Sequence, residues 1–374
     1  MKQLGLFRMS YPHLSETFIA AQAANLQRYV PLFLLKARLG ELAWDSVAVS
    51  DHDWLKIREK LYYLSRSPRL FPQRQRLRGL DLIHAHFGFD AAYALPLAQS
   101  LGKPLVVTYH GTDVMMSDEA MRLQNKAHFS HYLQAQPELK RYGAAFITVS
   151  KFLQQRLLAK GYPSERVLQH YVGVDTGLIM PLAGDSKGPR YILSVARHVE
   201  VKGVDTLLRA FALIATAHPD VRLLQVGAGP DTPALMRLAQ ELGIAGQVDF
   251  LGAQPHARVR ELMQHAEIFA HSSQTAADGT MEALGIVLNE ASACAVPIVC
   301  TRHGGMTETV VEGETGLLAA ERDYRAMAAH FAALLSDRAL SRNMGLRGRE
   351  FVCDCFDLKK QTKKLELIYD SVAS

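Results

Sequence analysis

Residues 191–226 have the sequence YILSVARHVEVKGVDTLLRAFALIATAHPDVRLLQV, and this stretch decides the fold class. Tyr191–Ala196 and Arg222–Val226 are short apolar runs of the kind that form buried strands. Between them, Val204–Ala217 has the apolar spacing of an amphipathic helix. Strand, helix and strand in alternation predict a parallel sheet with crossover helices.

The same alternation occurs on both sides of one break in the chain. Residues 181–189 are rich in glycine and proline and have no periodicity, which indicates a linker. We therefore predict an α/β protein with two doubly wound parallel-sheet domains at 1–175 and 191–355, a linker at 176–190, and a helix at 356–374 that could pack back on the first domain. The other predicted elements are helices at Ser15–Arg28 and Thr232–Leu242 and strands at Leu4–Met9, Leu32–Lys36, Leu82–His86, Leu105–Tyr109, Ala145–Ser150, Val248–Leu251, Ile268–Ala270 and Ile298–Cys300.

Composition excludes several classes of protein. Hydrophobic residues make up 48% of the 374 residues and charged residues 21%, as in an ordinary soluble globular chain. No apolar run approaches the ~20 residues of a membrane span, and Met1–Leu6 predicts a strand rather than a signal peptide. The 4 cysteines form neither a C-x-x-C pair nor a zinc set, so we expect reduced thiols and a cytoplasmic location.

Basic residues are concentrated in the segment Lys56–Arg78, where Glu59 is the single acid. Basic side chains interleaved with leucine, tyrosine and phenylalanine suit a surface that rests on anionic lipid, which would make the protein peripheral on the inner face of the cell membrane. A solvated helical face is the alternative. We predict no nucleic-acid partner, because no nucleic-acid motif accompanies the segment.

Two glutamates, Glu282 and Glu290, belong to the stretch DGTMEALGIVLNEA at 278–291. Gly285 disfavours one continuous helix, so we predict that a helix begins near Ile286, with Glu282 in the preceding loop and Glu290 in the first turns. The partial positive charge of the helix N-terminus favours anions, and an ionised Glu290 could accept two hydrogen bonds from a vicinal diol such as a ribose. The backbone N–H groups left free for sugar hydroxyls or a phosphate include those of Gly285, Ile286 and Val287.

This stretch resembles the E-x7-E motif of the retaining GT-B glycosyltransferases of family GT4. Arg197 followed by Lys202-Gly203 is similar to the diphosphate clamp of that family, and the resemblance covers nearly the whole chain. In the first half it is similar to the exopolysaccharide branch, which includes colanic-acid-type transferases. The further matching motifs are Leu14-Ser15-Glu16-Thr17-Phe18-Ile19, His84-Ala85-His86-Phe87-Gly88, Tyr109-His110-Gly111-Thr112-Asp113, Val226-Gly227-Ala228-Gly229-Pro230, Phe250-Leu251-Gly252 and Gly304-Gly305 with Glu308.

The resemblance implies roles for five matched side chains or turns of the second half. Arg197 and Lys202 would hold the donor diphosphate, where fixed cations stabilise the negative charge that grows on the leaving group. Glu282 would hold the hexose and Glu290 the ribose. Gly227 would lie at the donor, in the turn that ends a strand.

In the first half, the resemblance places His110 against the transferred sugar. Asp113 would orient His110 or shape its loop, with a place on the acceptor side. Ser15 would contact the donor phosphates or the acceptor hydroxyl, unless it is a simple helix N-cap. Strand alternation would leave only one of His84 and His86 facing the ligand, and we choose His86 for the acceptor side.

We therefore expect a hexosyltransferase of the EC 2.4 class. It would move a hexose, with retention, from a UDP- or GDP-sugar to a hydroxyl of a lipid-linked or oligosaccharide acceptor in surface polysaccharide biosynthesis. No cofactor or metal is expected: Asp51-His52-Asp53 does not lie at a sheet centre, and Gly227-x-Gly229 lacks the third glycine of a dinucleotide site. The alternatives are a nucleotide-sugar epimerase of the same fold and a catalytically silent nucleotide-sugar-binding partner of another transferase.

Overall fold

The computed structural model describes residues 1–13, 16–51, 55–182 and 188–373. The chain divides into two units, one formed by Met1–Gly173 with Leu358–Ser374 and the other by Val174–Asp357. Each unit contains one parallel sheet, of seven and six strands respectively. The predicted α/β class with two doubly wound sheets is confirmed.

The seven strands of the first sheet are all paired in parallel. They are β1 (Lys2–Tyr11), β2 (Tyr29–Arg38), β3 (Ser46–Ala48), β4 (Leu82–His86), β5 (Leu105–Tyr109), β6 (Ala145–Thr148) and β7 (Val167–Gln169). Their spatial order is β3-β2-β1-β4-β5-β6-β7, so the strand order reverses between β1 and β4. The helices are α1 (Thr17–Ala24), α2 (Ile57–Ser65), α3 (Arg74–Arg78), α4 (Gly88–Leu101), α5 (Thr112–Met115), α6 (Asp118–Leu123), α7 (Ala127–Tyr142) and α8 (Lys151–Ala159).

The second sheet repeats this arrangement with the order β10-β9-β8-β11-β12-β13, which reverses between β8 and β11. Its strands are β8 (Arg190–Val195), β9 (Val221–Val226), β10 (Val248–Gly252), β11 (Ile268–His271), β12 (Ile298–Thr301) and β13 (Gly316–Ala319). Its helices are α9 (Val204–Ala215), α10 (Thr232–Glu241), α11 (His256–His265), α12 (Ile286–Ala293), α13 (Tyr324–Ser336) and α14 (Arg338–Cys355). The chain then returns to the first unit with α15 (Leu358–Val372).

Burial in both units follows from helices covering parallel strands. β4 and β5 are buried at every residue, as expected of strands covered on both faces. In the second unit, α9 buries Leu207, Phe211 and Ile214 at helical spacing against the sheet. The last helix completes the first core, because Leu365 and Tyr369 are each 1% exposed there.

The structure differs from the sequence pattern where elements are short. β3 and β7 span three residues each, too few to show a period, and β13 begins with a glycine. The helix expected at Ser15–Arg28 spans only Thr17–Ala24. The expected linker also overlaps β8, whose first residue is Arg190.

Two further observations concern membranes and thiols. Within the described ranges, no helix has both the length and the apolar character needed to cross a bilayer. All four cysteines are free. Burial raises the pKa of the Cys294 and Cys300 thiols, so both stay protonated and unreactive.

Candidate active site

Polar residues gather where the order of the second sheet reverses, between β8 and β11. Ligands of open α/β sheets bind outside the carboxyl ends of the strands at such a point. Lys202 lies in the loop after β8, His271 is the last residue of β11, and Glu282 lies in the loop that follows β11. The structure therefore brings the predicted residues Lys202 and Glu282 together at this switch point.

Lys202 and Glu282 form an ion pair whose side chains are 15% and 19% exposed. His271 Nε2 lies 3.9 Å from the same carboxylate. Burial alone would raise the pKa of Glu282, but Lys202 and His271 hold it well below its ordinary value. Burial lowers the pKa of His271, so this imidazole is neutral at pH 7. The pair thus offers an ionised carboxylate for hydroxyl groups and an ammonium for a phosphate.

Arg197, the other predicted cation, is exposed in the loop after β8 and has no side-chain partner among the described residues. The loop itself is tightly held at Gly203, whose φ is +55°. A Cβ there would lie 2.2 Å from the carbonyl oxygen of Ser272, and the Ser272 hydroxyl donates to the Gly203 carbonyl at 2.7 Å. Arg197 is therefore available to a ligand, whereas Lys202 is already engaged by Glu282.

The start of α12 offers backbone donors next to this ion pair. The helix begins at Ile286, as predicted, and Gly285 precedes it with φ +78°, a conformation that favours glycine. No side chain caps the helix, and the N–H groups of Gly285, Ile286 and Val287 have no acceptor in the described part of the chain. The N–H of Leu288 is not available, because it donates to the Gly285 carbonyl at 2.9 Å. Three adjacent donors remain for a hydroxyl or an anion.

Glu290 lies on α12 with its carboxylate 2.9 Å from His256 Nε2. His256 is the first residue of α11. The hydrogen bond to Glu290 raises the pKa of His256, although burial acts in the opposite direction. The sequence pattern does not reveal this partner, because α11 and α12 are separated by a strand and a long loop.

Gly227 and Gly229 allow the end of β9 to lie against the Arg197 loop. Gly227 has φ +131°, and a Cβ there would lie 1.9 Å from the Ala196 carbonyl oxygen. A Cβ on Gly229 would lie 2.2 Å from the carbonyl oxygen of His198. The N–H of Gly227 donates to the Gly252 carbonyl at 2.8 Å. Gly227 therefore shapes the site, and its N–H is not free to bind the donor substrate.

A buried arginine lies at the corresponding switch point of the first sheet, between β1 and β4. Arg8 is 6% exposed and donates to both carboxylate oxygens of Glu16, at 2.6 and 2.7 Å, and to Asp90 at 2.6 Å. It also donates to the His86 carbonyl at 3.1 Å and packs over the Phe87 ring at 4.5 Å. Arg8 belongs to none of the sequence motifs, although its partners Glu16 and Asp90 lie in or beside motifs of the first half.

Three histidines cluster at the same end of the first sheet. The ring centroids of His84 and His86 are 4.3 Å apart, and His86 Nδ1 lies 3.1 Å from His110 Nε2. The expectation that alternation separates His84 from His86 is wrong, because residues two apart on a strand share a face. Both His84 nitrogens are satisfied, by Tyr369 and Thr108 at 2.7 Å. Burial lowers the pKa of His84 to about 3, and it also lowers the pKa values of His86 and His110.

Asp113 holds two loops through their backbones. Its carboxylate accepts the N–H groups of Gly88 at 2.7 Å and Gly111 at 3.0 Å. Burial raises its pKa to about 6 in spite of these hydrogen bonds. Because Asp113 is 0% exposed, its carboxylate is not accessible to an acceptor substrate. Its position fits the alternative prediction, in which it shapes the loop of His110.

Some sequence-derived candidates fall outside the described residues. Ser15 is one, as are His52 and Asp53 of the D-x-D stretch. Asp51 is described, and its carboxylate pairs with Arg38 at 3.3 Å. Across the described ranges, no group of three histidine, cysteine, aspartate or glutamate side chains is arranged to hold a metal ion.

Two family models match the chain in succession. The model described as Glycosyltransferase Family 4 matches residues 36–178, and the model described as Glycosyl transferases group 1 matches residues 182–351. The solved Anabaena HepE protein, in complex with UDP and glucose, has a similar fold. That match covers 99% of this chain and 100% of HepE with a TM-score of 0.78 at 20% identity.

Curated relatives extend over most of the chain. An N-acetyl-α-D-glucosaminyl L-malate synthase of Bacillus anthracis is 31% identical, over 83% of this chain and 80% of its own length. A GDP-mannose-dependent α-(1-6)-phosphatidylinositol monomannoside mannosyltransferase of Mycolicibacterium smegmatis is 32% identical, over 80% and 79%. A glycosyltransferase named for colanic acid biosynthesis in Salmonella typhimurium is 28% identical, over 78% and 71%.

Proposed function

The chain belongs to glycosyltransferase family 4, and on this premise we propose that it moves a hexose from a UDP- or GDP-sugar to a hydroxyl of a lipid-linked or oligosaccharide acceptor in surface polysaccharide biosynthesis. The observation that carries the proposal is the Lys202–Glu282 ion pair. Glu282 belongs to the loop that leads into α12, whose first N–H groups are free. One relative is named for GDP-mannose and one similar structure contains UDP, so both bases stay in the proposal.

In the proposed reaction, the bond between the anomeric carbon and the diphosphate oxygen breaks, and a bond from that carbon to the acceptor oxygen forms. Arg197 and Lys202 stabilise the charge that grows on the departing diphosphate. Glu282 and the N–H groups of α12 hold the hexose, and Glu290 holds the ribose. Attack from the face that the diphosphate leaves, with a phosphate oxygen taking the acceptor proton, retains the anomeric configuration.

A donor panel tests this function. The protein is incubated with UDP- and GDP-sugars, with and without membrane extract, and nucleotide release is measured. We expect release from one donor that rises when the extract supplies an acceptor. An isomerised nucleotide sugar without glycoside would support the epimerase alternative. Binding without turnover of any donor would support a silent partner protein.

The diphosphate clamp is tested by substitution. Arg197→Ala and Lys202→Ala should each lower kcat about 10²-fold, as loss of an electrostatic stabiliser does. Arg209→Ala is the matched control, because Arg209 is an exposed cation on α9, outside the loop after β8 that carries Arg197 and Lys202. Wild-type turnover in both clamp variants would refute the proposed role of Arg197 and Lys202 in holding the diphosphate.

We expect no metal requirement, so EDTA should leave the transferase activity unchanged. Loss of activity in EDTA would show that the reaction needs a metal ion.

We also propose that α2 rests on anionic lipid. Ile57, Leu61 and Leu64 are 52%, 50% and 66% exposed, and Lys56 and Lys60 are exposed beside them. Such a surface combines apolar contact with attraction to anionic headgroups. Binding to phosphatidylserine vesicles should fall in high salt and in Leu61→Ser/Leu64→Ser, whereas phosphatidylcholine vesicles should bind little. Absence of binding to phosphatidylserine at low salt would refute the proposal.

A further inference from the structure

The loop that carries Glu282 is held by a chain of hydrogen bonds through His303. The N–H of Glu282 donates to His303 Nε2 at 3.0 Å, and His303 Nδ1 lies 2.7 Å from Glu321 Oε1. Glu321 accepts the N–H of Thr275 at 2.7 Å and its hydroxyl at 3.1 Å. Thr275 lies just after β11 and Glu282 lies just before α12, so both ends of the loop are fixed to this chain.

The hydrogen bonds determine which nitrogen of His303 carries the proton. A backbone N–H can only donate, so Nε2 must be an unprotonated acceptor and Nδ1–H donates to the Glu321 carboxylate. Burial alone would raise the pKa of Glu321, but the Thr275 N–H and His303 hold it below its ordinary value. A neutral imidazole therefore links an ionised carboxylate to the backbone of Glu282. His303 is 1% exposed, which keeps water from replacing it.

The two glycines after His303 fix the other backbone group of Glu282. The N–H of Gly305 donates to the Glu282 carbonyl at 3.0 Å. Gly304 has φ +50°, and a Cβ there would lie 2.2 Å from the same carbonyl oxygen. Residues 303–305 thus hold both the N–H and the carbonyl of Glu282, while Lys202 holds its carboxylate.

We propose that His303 is a positioning residue for sugar transfer. It acts through Glu282, whose carboxylate it places relative to Lys202 and to the free N–H groups of α12, and it does not itself contact the donor. This inference rests on the proposed function, in which Glu282 holds the hexose. A displacement of about 1 Å at such a group can cost about 10²-fold in rate.

Two substitutions separate positioning from folding. His303→Leu has a similar volume but makes neither hydrogen bond, whereas His303→Gln can accept with Oε1 and donate with Nε2. We expect kcat for sugar transfer to fall about 10²-fold in His303→Leu and less than about 10-fold in His303→Gln. The Kd values for UDP and GDP should change less than about 2-fold, because Glu290 and Arg197 are untouched. In a Glu282→Gln background, His303→Leu should cause little further loss, since the two residues act as a unit.

Hydrogen exchange gives a readout that does not depend on activity. Amides at 275–285 should exchange faster in His303→Leu and return towards the wild-type rate in His303→Gln, with the rest of the second unit unchanged. Wild-type kcat in His303→Leu, parallel loss of nucleotide affinity and kcat, additivity with Glu282→Gln, or unchanged exchange at 275–285 would each overturn the proposal. If the wild-type protein transfers no sugar from any donor, the proposed function fails, and exchange still decides whether His303 holds the loop.

Discussion

Lys202→Met keeps the length of the side chain and removes the ammonium that faces Glu282. Both side chains of this pair are less than a fifth exposed, at 15% and 19%. Exposed pairs contribute about 0.2–1 kcal/mol, and breaking a buried pair costs about 3–5 kcal/mol. For this intermediate burial, with His271 left beside the carboxylate, we expect the second unit to lose about 2 kcal/mol of unfolding free energy. In a unit of this size, that loss lowers Tm by about 4–8 °C.

A double-mutant cycle with Glu282→Gln isolates the pair. Glu282→Gln should cost less, because the long Lys202 stem can carry its ammonium towards water. Lys202→Met should cost little in that background, which gives a coupling of about 1–2 kcal/mol. The pKa of Glu282 lies below its ordinary value of 4.5, so the stability from the pair is complete above that pH and is lost as pH falls towards the folded-state pKa. The difference in unfolding free energy between the wild type and Lys202→Met should therefore be largest at pH 7 and decrease below about pH 4.5.

Calorimetry is the appropriate measurement for this cycle. Neither Trp44 nor Trp54 belongs to Val174–Asp357, and Trp44 packs against the core of the first unit, so tryptophan fluorescence does not report the second unit. Scanning calorimetry with ellipticity follows both units and allows the shifted transition to be assigned. Additive single variants, or a wild-type advantage that grows in acid, would refute this account of the pair.

Three further predictions concern other residues of the two units. Arg8→Met should destabilise the first unit by about 3–5 kcal/mol in tryptophan-monitored urea unfolding, because it leaves two buried carboxylates without their guanidinium; a loss under about 1 kcal/mol would contradict the buried network. Gly285→Ala should cost about 1–2 kcal/mol, since φ is +78° there, and should raise the donor KM, whereas an unchanged KM would show that the donor does not use this turn. His256→Gln should lose only about 0.5 kcal/mol of unfolding free energy at pH 6, because His256 is 40% exposed. The loss should be smaller at pH 9, because a raised pKa of His256 stabilises the fold in acid and this stabilisation disappears as pH rises through that pKa. A pH-independent loss would show that the His256–Glu290 bond is not ionic.

The sequence predicts those parts of the site that depend on local rules. Glycine weakens a helix interior in any protein. Gly285 therefore predicts both the start of α12 and the loop position of Glu282 from residues 278–291 alone. The partners of Glu282, in contrast, come from two loops and the end of strand β11, and no local pattern connects His271 or His303 to it. The prediction that His84 and His86 face opposite sides of the sheet is wrong, because alternation separates adjacent residues and places residues two apart on the same face. Strands of three residues, such as β3, carry too little pattern to be found.

The assignment of α15 to the first unit has a consequence for synthesis of the chain. The core around Tyr29 includes Leu365 and Tyr369, so it lacks part of its packing until the ribosome has made the whole second unit. The second unit, in contrast, is one continuous stretch, Val174–Asp357, and within it Val174 pairs with Asp357. Domains generally fold as units during synthesis, N-terminal first. Here we expect the reverse order of completion, with the first unit waiting for its last helix while the second is already folded.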